Sequence, residues 1–374
     1  MADWSKLPYD IIHKVTTCLT VIEDFLSFSA VCCSWRSVYL AKQWHPGPQV
    51  PVLMFCDDEN SSIRSFLSLY RCKVTNSELP EAHGRRCWDS SSGWLVTIGS
   101  DLEIRLLNPF THVSFDLPPK STLQIRFGDF LGWCDIIERA FVFRNPCTSN
   151  ADEDLVVMII YGAMKQLAFC RPGYKSWRCI KEADHSHAHA HAEFIDVTCV
   201  KDQIFAVSLM GSLVLVDIDT LVVTSISRHN PPRDVALSLL TGGWGRLSLV
   251  KSSGDLWMVY QNQQGNRRVE STAFLVYRFD LDEKQWIRLS NLGSHTIFVS
   301  DHSCIAVCAG RYMNCESNCI YFVASKKEKG WPKRVANANV GVYSLRSEVS
   351  RHLCTGPNIQ KYFSFPLWVM PTLH

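Results

Sequence analysis

The sequence of 374 residues predicts two regions of different fold class, a small all-α head of three helices and a larger all-β body. Apolar residues recur at helical spacing in the first forty or so residues. Short apolar runs separated by turn residues fill the remainder. Within the body, a strand–turn–strand unit recurs roughly every 45 to 65 residues, which is close to the spacing of propeller blades and predicts a β-propeller of about six blades. A pair of stacked sheets is the alternative.

The first helix of the head is predicted to begin at Pro8, because the missing N–H of proline costs nothing in a first turn. Ile11, Val15 and Leu19 recur every four residues, with Ile12 beside them. This spacing predicts that one face of the helix is apolar.

Two further helices are predicted to follow. Thr20 and Glu23 fit a capping box at the start of the second helix. That helix carries three large apolar residues, Phe25, Leu26 and Phe28. Ser29 is expected to cap the third helix. One face of the third helix is predicted to carry Val31, Trp35 and Val38. So short a bundle cannot bury this many apolar groups, so a partner is expected, either the rest of the chain or another protein.

The order of these residues resembles the F-box over about residues 3–42, with bulkier residues than usual at Phe25 and Phe28 of helix two. The resemblance implies docking on the Skp-type adaptor of a cullin-RING ubiquitin ligase. It also implies which residues form or support the docking face: Leu7, Pro8, Ile11, Ile12, Val15, Phe25, Leu26, Val31, Cys32 and Trp35. The alternative is an ordinary helical cap that packs on the body.

Composition narrows the function classes. Hydrophobic residues make up 47% and charged residues 20%, which predicts a packed core. A net charge of +2 gives no electrostatic case for nucleic acid or a membrane surface. The start of the chain has no basic-then-apolar leader, and the longest apolar run, Leu155 to Tyr161, is too short to span a bilayer. The 16 cysteines form no C-x-x-C pair and are expected to stay reduced, which favours the nucleus or cytoplasm.

The repeated unit of the body is a strand, a turn and a second strand with a large apolar residue. Five copies lead from Leu106 to Leu117, from Leu167 to Ile180, from Leu213 to Val223, from Leu275 to Leu289 and from Val342 to Val349. Two hairpins are also predicted, around Gly211-Ser212 and around residues 251–255. Closing such strands into a propeller would remove their open edges.

Several stretches of the body resemble the plant F-box proteins whose C-terminal region is known as domain of unknown function 295, a kelch-like propeller. They include Leu106-Leu107-Asn108-Pro109, Leu117-Pro118-Pro119, Val276 to Asp282 with Trp286, Asn318 to Phe322, Gly341 to Leu345 and Pro366 to Pro371. The domain division expected on this basis is a head at 1–45, a linker with the first body elements at 46–70, and the propeller at 71–374.

Other patterns in the sequence could form metal, phosphate or catalytic sites, but their surroundings favour structural roles. The alternating histidines His185, His187, His189 and His191 could bind a metal on one strand face, but a solvated loop fits their neighbours better. The glycine-rich residues 242–245 lack the spacing of a phosphate loop. Carboxylates in turns are expected to bond their own backbone; these are Asp217, Asp219, Asp280 and Asp282. Trp177 and Trp286 are expected in blade cores.

The sequence therefore predicts the substrate-recognition subunit of a Skp–cullin–F-box ubiquitin ligase. The head would dock on the Skp-type adaptor, and the propeller would hold an unidentified substrate protein. The chain would act by proximity, without catalytic residues, metal or cofactor. The alternatives are a ligase-independent propeller scaffold and a small-ligand-binding protein. No propeller residue is assigned to substrate binding.

Overall fold

The computed structural model describes residues 4–19, 22–40, 49–56, 61–69, 71–89, 91–125, 132–144, 155–182, 193–226, 231–240, 245–263, 272–309, 315–327, 335–353, 361–362 and 365–372. The chain divides between Val50 and Pro51 into two compact units, a helical head and a β body.

The head contains a short 3₁₀ turn and three α-helices. The turn is Trp4–Lys6, and the helices are α1 Tyr9–Cys18, α2 Ile22–Ser29 and α3 Cys33–Leu40. Pro8 is the residue before α1, one position earlier than the predicted first turn, and its carbonyl oxygen accepts hydrogen bonds from the N–H groups of Ile11 and Ile12. The core of the head is made of Ile12, Ile22, Phe25, Phe28 and Val38, all buried.

The buried residues of α1 do not coincide with its predicted apolar row. Ile12 and Thr16 are the buried residues of this helix, whereas Ile11 is 44% exposed and Val15 and Leu19 are half-buried. Thr16 can be buried because its hydroxyl donates to the carbonyl oxygen of His13 at 2.6 Å within the same helix. The predicted apolar row of Ile11, Val15 and Leu19 is thus exposed or half-buried, and the buried row of α1 is that of Ile12 and Thr16.

The second and third helices also differ in detail from expectation. Ser29 is the last residue of α2 and does not cap α3, and Val31 lies in the turn before α3. Trp35 and Val38 are on α3 as predicted, with Val38 buried. Of the predicted capping box, Thr20 and the side chain of Glu23 lie outside the described part of the chain.

The body is a six-bladed β-propeller, as predicted. Blade 1 combines β1 Val52–Phe55, β2 Ile63–Ser68 and β3 Lys73–Glu78 with the last strand, β27 Leu367–Val369. Blade 2 contains β4 Arg85–Asp89, β5 Leu95–Gly99, β6 Ile104–Leu107 and β7 Ser114–Asp116. Blade 3 contains β8 Ile137–Arg144, β9 Leu155–Tyr161, β10 Gln166–Cys170 and β11 Arg178–Cys179.

Blade 4 has β12 Lys181–Glu182 at its outer edge, followed inward by β16 Val222–Ser225, β15 Leu213–Asp217, β14 Gln203–Ser208 and β13 Phe194–Val200. Blade 5 contains β17 Arg246–Ser252, β18 Asp255–Gln263, β19 Thr272–Asp280 and β20 Gln285–Leu289. Blade 6 contains β21 His295–Val299, β22 Cys304–Cys308, β23 Cys319–Lys327, β24 Val335–Ser344, β25 Val349–His352 and β26 Lys361–Tyr362. A fourth helix, α4 Arg233–Leu240, lies between blades 4 and 5 in sequence.

The strand–turn–strand units are where the sequence predicts them. Each of the five is an antiparallel pair of the third and fourth strands of a blade, or of β24 and β25 in blade 6. Asp217 and Asp280 accept hydrogen bonds from backbone N–H groups two and three residues further on, as expected of turn carboxylates. Trp177 is buried in the core shared by blades 2 and 3, and Trp286 packs half-buried in blade 5. No helix in the described ranges is both long and apolar enough to cross a membrane.

Blades 1 and 6 have pairings that local sequence does not reveal. The last strand, β27, pairs with β1, so residues near the two ends of the body complete one blade. In blade 6, β22 is the inner strand, and β21 pairs parallel with β23. The segment 46–70, expected to hold a linker and the first body elements, contains β1 and β2 of blade 1.

Close contacts join neighbouring blades. Trp88 Nε1 donates to the carbonyl oxygen of Glu138 at 3.0 Å, joining blades 2 and 3. Trp368 of blade 1 donates its backbone N–H to Ser303 Oγ at 3.0 Å and its indole N–H to the carbonyl oxygen of Val299 at 3.1 Å, joining blades 1 and 6. Gly93 of blade 2 lies so close to Met370 that a Cβ there would be 2.4 Å from the carbonyl oxygen.

Candidate partner-binding site

The head exposes large apolar side chains in its first eleven residues and in the turn before α3. Trp4 is 64% exposed, Tyr9 53%, Ile11 44% and Val31 52%. Isolated exposed apolar residues are common on protein surfaces, but four in one small helical unit are typical of a protein–protein interface. We call these four residues the exposed head face.

Hydrogen bonds and ring contacts hold the segments of this face. The indole N–H of Trp35 on α3 donates to the carbonyl oxygen of Trp4 at 3.1 Å, which ties the 3₁₀ turn to α3. The Trp35 ring also packs on buried Phe28 at a centroid distance of 4.6 Å. Tyr9 stacks on His13 at 6.3 Å within α1. The turn that carries Trp4 is therefore held to α3, and Trp35 of α3 packs on the core of the head.

The structure sorts the ten residues of the predicted docking face by exposure. Pro8, Ile11 and Val31 are exposed, and Leu7, Val15, Cys32 and Trp35 are half-buried. Ile12 and Phe25 are buried in the core of the head. The side chain of Leu26 lies outside the described part. The ten residues thus comprise both a surface and the core that supports it.

Two residues of the exposed head face, Trp4 and Tyr9, are missing from the predicted set. The signal for them was present in the sequence, because both are large aromatic residues that flank Leu7 and Pro8. Aromatic residues are enriched among the anchors of protein interfaces. They were missed because the predicted set was taken from the resemblance to the F-box, whose quoted pattern begins at Leu7.

The centre of the propeller contains charged residues that the sequence did not single out. Arg139 of β8 and Asp196 of β13 are both buried, with Arg139 Nη1 3.5 Å from Asp196 Oδ2. Asp196 also accepts hydrogen bonds from the backbone N–H of Val197 at 2.9 Å and of Leu249 on β17 at 2.7 Å. A single carboxylate therefore joins blades 3, 4 and 5. Arg246 pairs with Asp301 and joins blade 5 to blade 6.

Burial raises the pKa of the Asp196 carboxyl, and the charge of Arg139 and the two backbone N–H groups act in the opposite direction. Beside this pair lies a cavity of about 30 Å³, lined also by His302, Ser303 and Cys304. Sites for small organic ligands are typically about 300 Å³ or larger. The cavity has room for water alone, and the charged residues around it join blades.

A larger cleft, of about 510 Å³, lies at the edge of blade 2. Its floor includes Ile104 and Leu117, and its rim includes Asp101, Glu103 and Asp116. The rim carboxylates pair with Arg85 or Arg105. The cleft therefore offers few unpaired polar groups to orient a small ligand.

Metal ligation has no support in the described residues, where no group of three or more histidine, cysteine or acidic side chains is placed to hold an ion. The run from His185 to His191 lies outside the described part of the chain. The preference for a solvated loop over a metal site in that run stays a prediction.

Comparison with known proteins places both regions of the chain. The family described as KIB1-4 beta-propeller matches residues 66–344, and the family described as F-box domain matches residues 4–38. The Arabidopsis thaliana F-box protein SKIP23 is 23% identical over 385 residues, covering 93% of this chain and 90% of that protein. The Arabidopsis F-box protein At2g26160 is 24% identical over 360 residues, covering 86% of this chain and 95% of that protein.

Among solved structures, the β-propeller domain of Myceliophteria thermophila Cps50 (Swd1) is similar at 9% identity, with a TM-score of 0.37, and the match covers 83% of this chain and 87% of that one. A similarity this low adds nothing to the six sheets observed directly. The two family matches, over most of the body and nearly all of the described head, show that this chain is an F-box protein of the KIB1-4 β-propeller family.

Proposed function

We propose that this chain is the substrate-recognition subunit of a Skp–cullin–F-box ubiquitin ligase, with the head docking on the Skp-type adaptor and the propeller binding a substrate protein. Proteins that combine an F-box with a propeller are typical subunits of this kind, and F-box proteins are generally non-catalytic adaptors. The observation that carries the proposal is the exposed head face of Trp4, Tyr9, Ile11 and Val31.

The physical argument concerns the apolar area that the head leaves exposed and the buried residues beneath it. A head of about fifty residues buries Ile12, Phe25, Phe28 and Val38 in its core and leaves other large apolar groups in water. Covering such groups with a partner gains roughly 25 cal/mol for each Å² removed from water. Exposed Pro8 and half-buried Leu7 adjoin the face and complete the proposed docking surface. Ile12 and Phe25 act in this proposal by supporting the surface from within.

The chain would transfer no chemical group itself. Its contribution would be to hold a lysine of the substrate at high effective concentration near the ubiquitin-charged enzyme. We place the chain in the nucleus or cytoplasm, where the ligase partners and reduced thiols are expected. Kinship with the propellers known as domain of unknown function 295, and with kelch repeats, belongs to the same proposal.

The test is binding of the full chain to a purified Skp-type adaptor. Ile11→Asp puts a charge into the proposed interface, and we expect it to weaken binding by about 30-fold or more, as for an interface hot spot. The matched control is Val349→Asp, because Val349 is a similarly exposed apolar residue on blade 6. The double change Leu7→Ala with Pro8→Ala should also lose the adaptor in a pull-down.

Wild-type protein that fails to retain the adaptor would contradict the proposal. Equal losses from Ile11→Asp and Val349→Asp would also contradict it, since the effect would then not be specific to the head. Circular dichroism and thermal unfolding of each variant check that the fold is kept.

A further inference from the structure

The outer edge of blade 3 carries charged residues of one sign only. Residues 162–181 contain five lysine or arginine residues and no aspartate or glutamate. Four of the five lie where the chain passes from blade 3 to the edge of blade 4: Arg171, Lys175, Arg178 and Lys181. We call these four residues the basic edge. The next carboxylate along the chain is Glu182, so residues 171–182 carry a net charge of +3.

The basic edge is not neutralised from within the described part of the propeller. Elsewhere, Arg139, Arg246 and Arg288 each lie within 4 Å of a carboxylate. Lys165, the fifth cation of the segment, pairs with Glu193 at 4.0 Å. No carboxylate of the described residues lies at ion-pair distance from a basic-edge side chain, and Lys175, Arg178 and Lys181 are exposed.

The backbone under the basic edge is held in place. The Pro172-Gly173 pair, with Gly173 at φ +86° and the Tyr174 N–H donating to the carbonyl oxygen of Arg171 at 3.0 Å, has the features of a type II turn. Trp177 donates its indole N–H to the carbonyl oxygen of Pro118 at 2.8 Å and its backbone N–H to the hydroxyl of Thr122 at 3.0 Å. The loop is therefore anchored to blade 2.

The side chain of Arg178 is positioned as well. Its guanidinium lies over the ring of Tyr174 at 5.5 Å, a cation–π contact that leaves the N–H groups at the edge of the guanidinium available. Tyr174 itself packs against the cores on both sides of blade 3. Such a fixed guanidinium binds a carboxylate with little loss of side-chain entropy.

We propose that the basic edge binds a carboxylate-rich segment, rich in Asp or Glu, of the substrate protein. This inference rests on the proposed function and adds the chemical class of the substrate segment. Four cations close in sequence, with no described carboxylate at ion-pair distance and with Arg178 held over Tyr174, complement such a segment in charge. Charge complementarity of this kind sets specificity and association rate.

Nucleic acid is the less favoured polyanion. A protein that tracks a phosphate backbone has a strongly basic domain and a long stripe of cations. Here the whole chain has a net charge of +2, and the basic edge is a single short segment. An acidic peptide matches the small number of cations better.

The experiment measures fluorescence anisotropy of a labelled twelve-residue Asp/Glu-rich peptide with the full chain. Lys175→Glu with Arg178→Glu reverses two charges, and we expect at least a tenfold loss of affinity. The control, Lys73→Glu with Arg346→Glu, makes the same charge change at exposed positions of blades 1 and 6 and should change affinity less than threefold. Binding should weaken as salt is raised, because surface charges are screened.

Lys175→Gln with Lys181→Gln is the second variant, for use if the reversal lowers the thermal unfolding midpoint, and it should also lose affinity. Three results would overturn the proposal: no binding of the acidic peptide by the wild type, equal losses in the test and control variants, or tighter binding of a phosphoserine peptide or a single-stranded oligonucleotide of equal charge. Adaptor binding is measured on the same variants. If wild type binds the peptide but not the adaptor, the proposed function fails while the acidic-segment site stands.

Discussion

In the head, Trp4 is 64% exposed and belongs to no core, whereas in the propeller Trp368 is fully buried. Trp368 packs edge-on against Phe298 at 5.1 Å, and both of its N–H groups are hydrogen-bonded. The difference teaches that the two regions obey different constraints. A region of about fifty residues has too little interior for all its apolar side chains, whereas one of over three hundred can bury a tryptophan completely.

The head and the propeller also differ in where their charged residues lie. The exposed charged residues of α1, Asp10 and Lys14, face water. The propeller instead buries Arg139 and Asp196 at its centre, where blades 3, 4 and 5 meet. Breaking such a buried pair leaves an uncompensated charge, which costs more than breaking a surface pair. The propeller thus uses charge to hold blades together, and the head leaves large apolar side chains exposed.

The largest expected effect is the difference in stability between variants of Trp368 and of Trp4. Trp368→Ala should lower the free energy of unfolding by about 3–5 kcal/mol, because it removes a fully buried ring at the contact between blades 1 and 6. Trp4→Ala should change it by less than about 0.5 kcal/mol, as for an exposed position. Urea unfolding of both variants measures the difference. Equal losses of stability in the two variants would contradict the difference in burial between the propeller and the head.

A smaller effect tests the buried charge. Because the pKa of Asp196 is raised, the folded state holds this proton more tightly than the unfolded state. The stability contributed by Asp196 is therefore greatest at low pH and falls as the pH rises above about 4, the ordinary carboxyl value, towards the folded pKa. Asp196→Asn removes this titration.

The free energy of unfolding of wild type minus that of Asp196→Asn should thus decrease with rising pH, by at most about 1.4 kcal/mol per pH unit. Urea unfolding at a series of pH values measures it, with the exposed turn change Asp282→Asn as the control for removing one charge. A difference that increases with pH would show that Arg139 outweighs burial and lowers the pKa.

Much of the fold could be predicted because it is encoded locally. Turn residues between short apolar runs predict the antiparallel pairs, such as β19 with β20 around Asp280. The joining of β27 to β1 and the parallel pairing of β21 with β23 could not be predicted. Those pairings depend on residues distant in the chain, and nothing in either strand alone specifies its partner.

The candidate site was only partly predictable for a related reason. Ile11 and Ile12 are adjacent and equally apolar, and helical spacing alone does not decide which of them faces inward. The buried row of α1 includes the polar residue Thr16, whose hydroxyl donates a hydrogen bond to the carbonyl oxygen of His13. Arg139 and Asp196 were missed because they lie on strands of two different blades, and their pairing appears only when the blades close.

The central claim is that the exposed head face is the adaptor-binding surface, and side-chain footprinting tests it most directly. Hydroxyl radicals oxidise exposed tryptophan, tyrosine and methionine side chains, so Trp4, Tyr9 and, as the propeller control, Met210 report in one experiment. On addition of a Skp-type adaptor, Trp4 and Tyr9 should be protected while Met210 stays reactive. Unchanged oxidation of Trp4 and Tyr9 at saturating adaptor would contradict the account.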